Sequence, residues 1–314
     1  MRVGWYCVYT PEEIIAAAGC EPYRLVPPDG IEGNTPLLPS TLCPLVRCLV
    51  TGLEQGAFPP LNGVIIVNSC HAMLHLYNAL AHRFTEEPFV FLLDMPRRDG
   101  PAATTRLAAE LRVLAAFLGT RSGRSVTTER LWATIREQGN ALLAAEGPGA
   151  PGVRGMRKAG PRVALAGSLP PPGLAALVEE AGGAVVTDDL CGGRRYRSGR
   201  GAVLEEALAA ERDGEDPFAV LARSHLRRSP PCPRFVTRGD GRRRELLKLV
   251  ETHDLRGLIY HTLKFCDLSH YDYLWVREAL REKGVPVLHL ETELGTRDLG
   301  RLRTRVEAFL EMLL

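Results

Sequence analysis

The stretch GLIYHTLKFCD (residues 257–267) decides the fold. Its first nine residues form an apolar run of strand length, rich in β-branched and aromatic side chains, which predicts a strand buried on both faces. Such strands belong to parallel sheets covered by helices on either side. Cys266 closes the run, and DLSHYDY immediately after it reads as the start of a helix. A thiol at this junction is inert packing, a nucleophile or a ligand, and the positions of the other cysteines decide between them.

Working outward, the same strand-then-helix unit recurs. NGVIIVNSC (62–70) is a short β-branched run followed by the helical HAMLHLYNALAHRF, so Cys70 sits at a junction equivalent to that of Cys266. FVFLLDMP (89–96), RVALAGS (162–168), GAVVTDD (183–189) and VPVLHLETE (285–293) read as further strands. Near the start, TPEEIIAAAG (10–19) predicts a helix with Thr10 as N-cap, Pro11 at the first helical position, Glu13 completing a capping box and Gly19 closing it. From Thr104 to Glu146 two long amphipathic helices interrupt the alternation, and the Gly- and Pro-rich segment 147–161 reads as a linker. The last helix places Leu302, Val306, Phe309 and Leu310 on one face. The predicted architecture is α/β: two Rossmann-like parallel-sheet domains, 1–103 and 161–314, joined by a helical connector and linker over 104–160. Ligands of such sheets collect at the strands' carboxyl ends, here the cleft between the two domains.

The bulk numbers exclude several classes. With 39 basic and 37 acidic residues among 314, the formal charge is +2, so no whole-chain electrostatic attraction to nucleic acid or membrane exists. No apolar stretch of about 18 residues occurs and MRVGWYCVYT lacks the apolar core of an export signal, so a cytoplasmic protein is expected. Thiols stay reduced in that compartment, which makes metal binding the leading explanation for the eight cysteines, with buried apolar packing as the alternative.

Three cysteines occupy comparable places. Cys43 lies in STLCPLVRC at a turn-like helix entry, with Ser40 or Thr41 as candidate cap; Cys70 and Cys266 end strands of the two halves. Helix N-termini favour thiolate, which suits a soft metal. No C-x-x-C knuckle accompanies them, and His71 and His75 lie on a helix that begins at Cys70, so structural zinc is poorly supported. Thiolates dispersed over two halves fit an iron-sulfur cluster better, and three ligands for four irons leave one iron open to a substrate oxygen.

These residues resemble the 2-hydroxyacyl-CoA dehydratase and benzoyl-CoA reductase family, in particular its iron-sulfur subunits of the 2-hydroxyglutaryl-CoA dehydratase D-component type. The resemblance rests on TPEEIIAAAG, LCPLVRC, NSCHAMLHLY, GGAVVTDDLCGGRRY, GLIYHTLKFCD with REKGVPVLHLETE, and RLRTRVEAFLEML, in the family's order. It implies a [4Fe-4S] cluster held by Cys43, Cys70 and Cys266, whose open iron binds an oxygen of an acyl-CoA substrate. It also implies an ATP-dependent iron-sulfur activator that injects one low-potential electron, and a ketyl radical from which water is eliminated. Family subunits pair, so a homologous second subunit or a second copy is expected. The chain is shorter than typical members, and a benzoyl-CoA reductase-like activity or a cluster-free scaffold subunit are the alternatives. Cys191 and Cys232 point to another: the double-cubane proteins of the same family, in which an [8Fe-9S] cluster would draw on these two and on Cys7, Cys20 or Cys48. For Cys20 and Cys48 the competing reading is core packing.

Further candidates follow. Glu13 is either a capping carboxylate or an acid/base group, and His71 either donates a hydrogen bond toward the cluster or is a solvated helix-start histidine. Gly167 and Ser168, at a strand end before a helix, and Arg194 and Arg195 are candidates for contact with CoA phosphates. GDGRRRELLK (239–248) reads as a solvated helix face. No Walker or dinucleotide fingerprint occurs, so the chain itself is not expected to hydrolyse ATP.

Overall fold

The computed structural model describes residues 1–145, 160–227, 230–234, 239–294 and 299–314. The first half runs β1 (Arg2–Trp5), α1 (Glu12–Ala17), β2 (Glu21–Arg24), α2 (Pro44–Glu54), β3 (Gly63–Val67), α3 (His71–Arg83) and β4 (Phe89–Leu93). Two long helices follow, α4 (Pro101–Ser122) and α5 (Thr128–Ala145). The second half runs β5 (Arg162–Gly167), α6 (Leu174–Glu180), β6 (Ala184–Leu190), α7 (Arg194–Arg212), α8 (Pro217–Arg227), α9 (Gly239–His253), β7 (Gly257–Leu263), α10 (Asp267–Arg281), β8 (Val287–Thr292) and α11 (Leu299–Met312). Most of the predicted linker, 146–159, lies outside the described residues.

Each half contains one four-stranded parallel sheet, and the two sheets share a strand order, β2-β1-β3-β4 and β6-β5-β7-β8. In each, the chain steps to one side and then returns to the other side of the starting strand. The reversal puts a crevice at the carboxyl ends of β1 and β3 and another at those of β5 and β7.

Burial explains why these strands form. All five residues of β3 and all seven of β7 are buried, as strands covered on both faces must be. β5 alternates: Val163 and Leu165 pack with Leu174 and Val178 of α6 and Val306 and Phe309 of α11, whereas Ala164 and Ala166 face Leu246 of α9 and Val276 of α10. The predicted face of α11 is buried as expected. β2, EPYR, is an edge strand, where Pro22 removes no ladder bond that the sheet needs. α7 and α8 follow β6 in the chain, yet they pack with α4 and α5, and Val203, Ala207, Phe218 and Leu221 join the core of the first sheet. The helical layer therefore draws on both sides of segment 146–159.

One local expectation is corrected. α1 begins at Glu12 with Pro11 in the capping position and without a side-chain cap. The chain turns tightly out of β1, Thr10 N donating to Cys7 O at 2.9 Å, and this turn buries the Thr10 hydroxyl without a hydrogen-bond partner. Glu13 is buried and faces His225, 3.9 Å away, rather than closing a capping box.

At the end of β5 the backbone requires glycine: Gly167 has φ +109°, and a Cβ there would meet His261 O of β7 at 2.0 Å. Gly167→Ala is expected to lower unfolding free energy by at least about 2 kcal/mol. Urea denaturation followed by circular dichroism checks it, and a midpoint equal to wild type contradicts this assignment.

Candidate metal centre

Cys43, Cys70 and Cys266 stand at the N-cap positions of α2, α3 and α10. For α2 the reason is Pro44, whose fixed φ suits the first helical position and leaves the preceding residue as cap, displacing the expected Ser40 or Thr41. For α10 it is the left-handed Phe265, φ +58°, which turns the chain so that Cys266 N donates to Leu263 O at 3.1 Å. No regular side-chain cap forms at any of the three. Even so, the backbone N–H groups of Leu45, Met73 and Ser269 each act on the neighbouring sulfur and favour its ionised form.

These three sulfurs act on one another in all three pairings. The Cys43 and Cys266 thiols share a proton: hydrogen bonding to Cys43 is the largest influence lowering Cys266, to about 6, while the same bond and burial push Cys43 well up. Ser269 Oγ, 3.4 Å from Cys266 Sγ, adds to the lowering. Burial pushes Cys70 up to about 12.

A second triad adjoins the first. Cys7 lies two residues beyond β1, Cys191 follows β6 directly, and Cys232 sits between α8 and α9. These three also act on one another in every pairing, and Cys70 is influenced by both Cys7 and Cys232, which links the two sets. Burial raises Cys191 to about 12 and raises Cys232, with Arg195 opposing the rise at both. Of the three cysteines considered as companions to Cys191 and Cys232, the structure brings Cys7. Cys20 and Cys48 stand apart as packing thiols, with Cys48 Sγ donating to Ile31 O at 3.3 Å and Cys20 lodged against Ala18. Cys7 is the ligand candidate that sequence reasoning did not single out; its signal was a position just past a strand too short to recognise.

Three ties hold the loops of these sulfurs together. Tyr9, two residues after Cys7, accepts from Cys232 N at 3.4 Å. Arg234 donates to Asn68 O and Met95 O at 3.2 and 2.9 Å, binding the Cys232 segment to the ends of β3 and β4. Arg242 reaches three ways: to Pro231 O at 3.3 Å, to Asp189 at 2.7 Å and to Asp272 of α10. Asp189 also takes a bidentate pair from Arg195, at 3.0 and 2.9 Å, and Asp272 accepts from Tyr260 at 2.6 Å. The two arginines hold the Asp189 carboxyl well below the usual carboxylate range, against a burial that raises it. Two arginines and two carboxylates thus form a neutral buried network that ties down the segments of Cys191, Cys232 and Cys266.

The donor set fits a cluster better than a lone ion. All eight cysteines are free thiols, and among the described residues no three His, Cys, Asp or Glu groups converge tightly enough for a single metal ion. A cluster spreads its thiolates over different irons and takes soft sulfur donors from separate loops. Buried thiols that keep their protons would lose them to solvent on binding such a core, whose positive charge reverses the electrostatics that raise them.

The other expected positions are placed as follows. His71 is exposed and edge-on to His75, ring centroids 4.5 Å apart. Ser168 N donates to His261 O at 2.9 Å and its hydroxyl accepts from Leu263 N at 2.9 Å, lacing the end of β5 to β7. Gly167 lies in the same crossing. Arg195 is buried on Asp189, whereas Arg194 is half-buried, 3.5 Å from Glu245. In the intervening CGG turn, Asp188 accepts from the Leu190 and Arg194 amides at 3.2 and 2.6 Å, and a Cβ on Gly193 would strike that carboxylate at 2.0 Å.

Comparison with known proteins identifies relatives of the chain. The family model described as 2-hydroxyglutaryl-CoA dehydratase, D-component, matches residues 7–141 and 140–313. The chain is 28% identical to YjiM of Escherichia coli (strain K12), provisionally named a dehydratase subunit, over 370 aligned positions covering 99% of the chain and 91% of the relative. It is 24% identical to the (R)-phenyllactyl-CoA dehydratase beta subunit of Clostridium sporogenes and 24% to the lactoyl-CoA dehydratase subunit beta of Anaerotignum propionicum, each with 99% of the chain and 91% of the relative covered. Among the described residues no helix is long and apolar enough to cross a membrane.

Removing Arg242 leaves two buried carboxylates short of a partner. Arg242→Met is expected to cost about 3–5 kcal/mol of stability and to speed alkylation of Cys191 and Cys232 in the iron-free protein relative to Cys20 and Cys48. Guanidinium denaturation and mass-resolved thiol labelling read both, and unchanged labelling rules out the tie.

Proposed function

The chain belongs to the 2-hydroxyglutaryl-CoA dehydratase D-component family, and on that premise we propose that it is a low-potential iron-sulfur component whose six clustered thiolates hold a double-cubane [8Fe-9S] centre. The observation that carries this reading is that the second triad, Cys7, Cys191 and Cys232, belongs to the same core as the first, Cys43, Cys70 and Cys266, and lies within electrostatic reach of it through Cys70. One cubane needs three protein thiolates when one iron stays open to substrate, and two need more. When bound, such a centre supplies strongly reducing electrons and an iron to which a substrate oxygen or nitrogen can bind. The chain's own residues hold and insulate it. Arg242, Arg234 and Tyr9 tie together the segments of Cys7, Cys70, Cys191, Cys232 and Cys266 without metal, and Arg195 and Arg24 offset thiolate charge at Cys191. Cys7 and Cys43 are buried, and the other four cysteines are partly buried against the same core.

A second reading is favoured by the acyl-CoA dehydratase names of the relatives from Clostridium sporogenes and Anaerotignum propionicum. Here the first triad alone holds a [4Fe-4S] cluster, and the enzyme is a 2-hydroxyacyl-CoA dehydratase-like lyase, with a homologous subunit or a second copy completing it. Arg194 is then the best placed of the four positions expected at CoA, because its guanidinium is partly exposed. In both readings an ATP-hydrolysing activator delivers the electron. The exposed apolar face of α10, Tyr271, Leu274 and Trp275, with Phe265 beside Cys266, is the docking surface proposed for it.

Anaerobic reconstitution separates the readings. Wild type is expected to bind about eight irons per chain, and Cys191→Ser to lose at least half of them. Under the second reading, wild type binds about four and Cys191→Ser keeps them, while Cys266→Ser loses iron in either case. No iron in the wild type overturns both and favours a scaffold subunit. Trp275→Glu is expected to keep the iron but slow reduction by the activator about tenfold or more, and unchanged reduction kinetics moves the docking surface elsewhere.

A further inference from the structure

A cleft of about 420 Å³ lies where the ends of β1 and β2 face those of β5 and β6. Its polar lining consists of four side chains, Tyr6, Arg24, Asp188 and Arg197, and the rest is apolar or backbone. Asp188 is fully engaged, accepting from the two amides of the CGG turn and from Arg197 Nη2 at 2.9 Å, so its charge and that of Arg197 cancel. Arg24 is different. It forms no hydrogen bond or ion pair with any described residue, and its Nε is buried without a hydrogen-bond partner. Its guanidinium carbon lies over the rings of Tyr196, Trp5 and Tyr6, at 4.6, 5.3 and 5.7 Å. The rings attract the cation through their faces but accept none of its N–H bonds.

A partly desolvated guanidinium with idle donors, in a cleft that otherwise offers hydrocarbon, asks for one anion. Leu165, Leu169, Leu174 and Leu190 line the walls, and Pro170, Pro171 and Pro172 form a rigid rim. A dianion would leave half its charge unbalanced here, because no other uncommitted cation lines the cleft. A carboxylate carries one charge and matches the planar fork of arginine. The volume sits near the lower end of the range for small-molecule sites. We propose that this cleft binds a small organic carboxylate, its carboxylate on Arg24 and its short apolar body among the leucine side chains against Tyr6. Tyr6 lines the cleft and directly precedes Cys7, and Cys191, Cys43 and Cys7 all act on its hydroxyl. The bound acid would therefore lie one side chain away from the sulfurs. This inference holds whichever cluster those sulfurs carry.

The test is isothermal titration of the full chain with hexanoate and with hexanamide, run anaerobically on iron-free and on reconstituted protein. Hexanoate is expected to bind one site with a dissociation constant of about 1 mM or tighter, and the amide at least about tenfold more weakly. Arg24→Met should weaken hexanoate about tenfold or more, and Arg24→Lys should restore part of that loss. Leu169→Trp, which fills the cleft and leaves Arg24 in place, should abolish binding, and it decides the matter if Arg24→Met does not fold. Equal binding of acid and amide, undiminished binding in Arg24→Met or Leu169→Trp, or no saturable binding by wild type would each overturn the proposal. Iron content read on the same samples shows whether Arg24→Met acts on the cleft or on the thiol centre: lost binding with unchanged iron supports the cleft, and retained binding with lost iron refutes it.

Discussion

On the function proposed for this chain, six sulfurs from six separate loops must stay within reach of one another in an interior that disfavours their charge. The fold meets this constraint through peptide geometry, because parallel strands all point their carboxyl ends the same way. Any residue just past a strand is delivered to one edge of its sheet. Cys7, Cys70, Cys191 and Cys266 use that delivery from β1, β3, β6 and β7. Cys43 and Cys232 arrive instead from longer connections, and these are the segments that need holding. Pro44 fixes the first, and Tyr9, Arg234 and Arg242 hold the second.

The electrostatics fit a site assembled before it is charged. Burial raises the thiols of Cys70, Cys191 and Cys232, the bond to Cys266 together with burial raises Cys43, and Cys266 is drawn down by Cys43 and by Ser269. Six buried thiolates without a cation would repel one another strongly. Thiols that keep their protons at Cys43, Cys70, Cys191 and Cys232 spare the folded chain most of that repulsion. The Asp189, Arg242, Asp272 and Arg195 network keeps the surrounding frame neutral as well.

Much of this was legible in the sequence where burial was complete. β3 and β7 read as strands because every residue in them is apolar or hidden, and the thiols after them were legible for the same reason. β1 and β2 were not, since four residues show no periodicity and EPYR looks like a loop. Losing β1 left Cys7, two residues past its end, undistinguished from Cys20 and Cys48 as a companion to Cys191 and Cys232. The cap of α2 was misplaced although Pro44 marked it. The cap of α1 was misplaced because a tertiary turn, invisible in TPEE, overrode a strong local pattern. Arg195 and Asp189 are six apart on different elements, so no helical spacing announced that they pair, and a surface-looking RRY run turned out to include a buried guanidinium.

Arg24 joins the two chemical regions of the molecule. Its positive charge is felt at Cys191 and at the Tyr6 hydroxyl, in both cases favouring the ionised form. An anion seated on Arg24 would cancel that influence, so occupancy of the cleft and negative charge on the second triad compete for the same cation. Coupling of this kind is reciprocal: whatever bound anion does to the charge of the thiol centre, that charge must do to the affinity for the anion. Thiolates carrying more negative charge would therefore leave Arg24 less available to a carboxylate. The cleft would be fullest when the thiols are least negative, without any moving part.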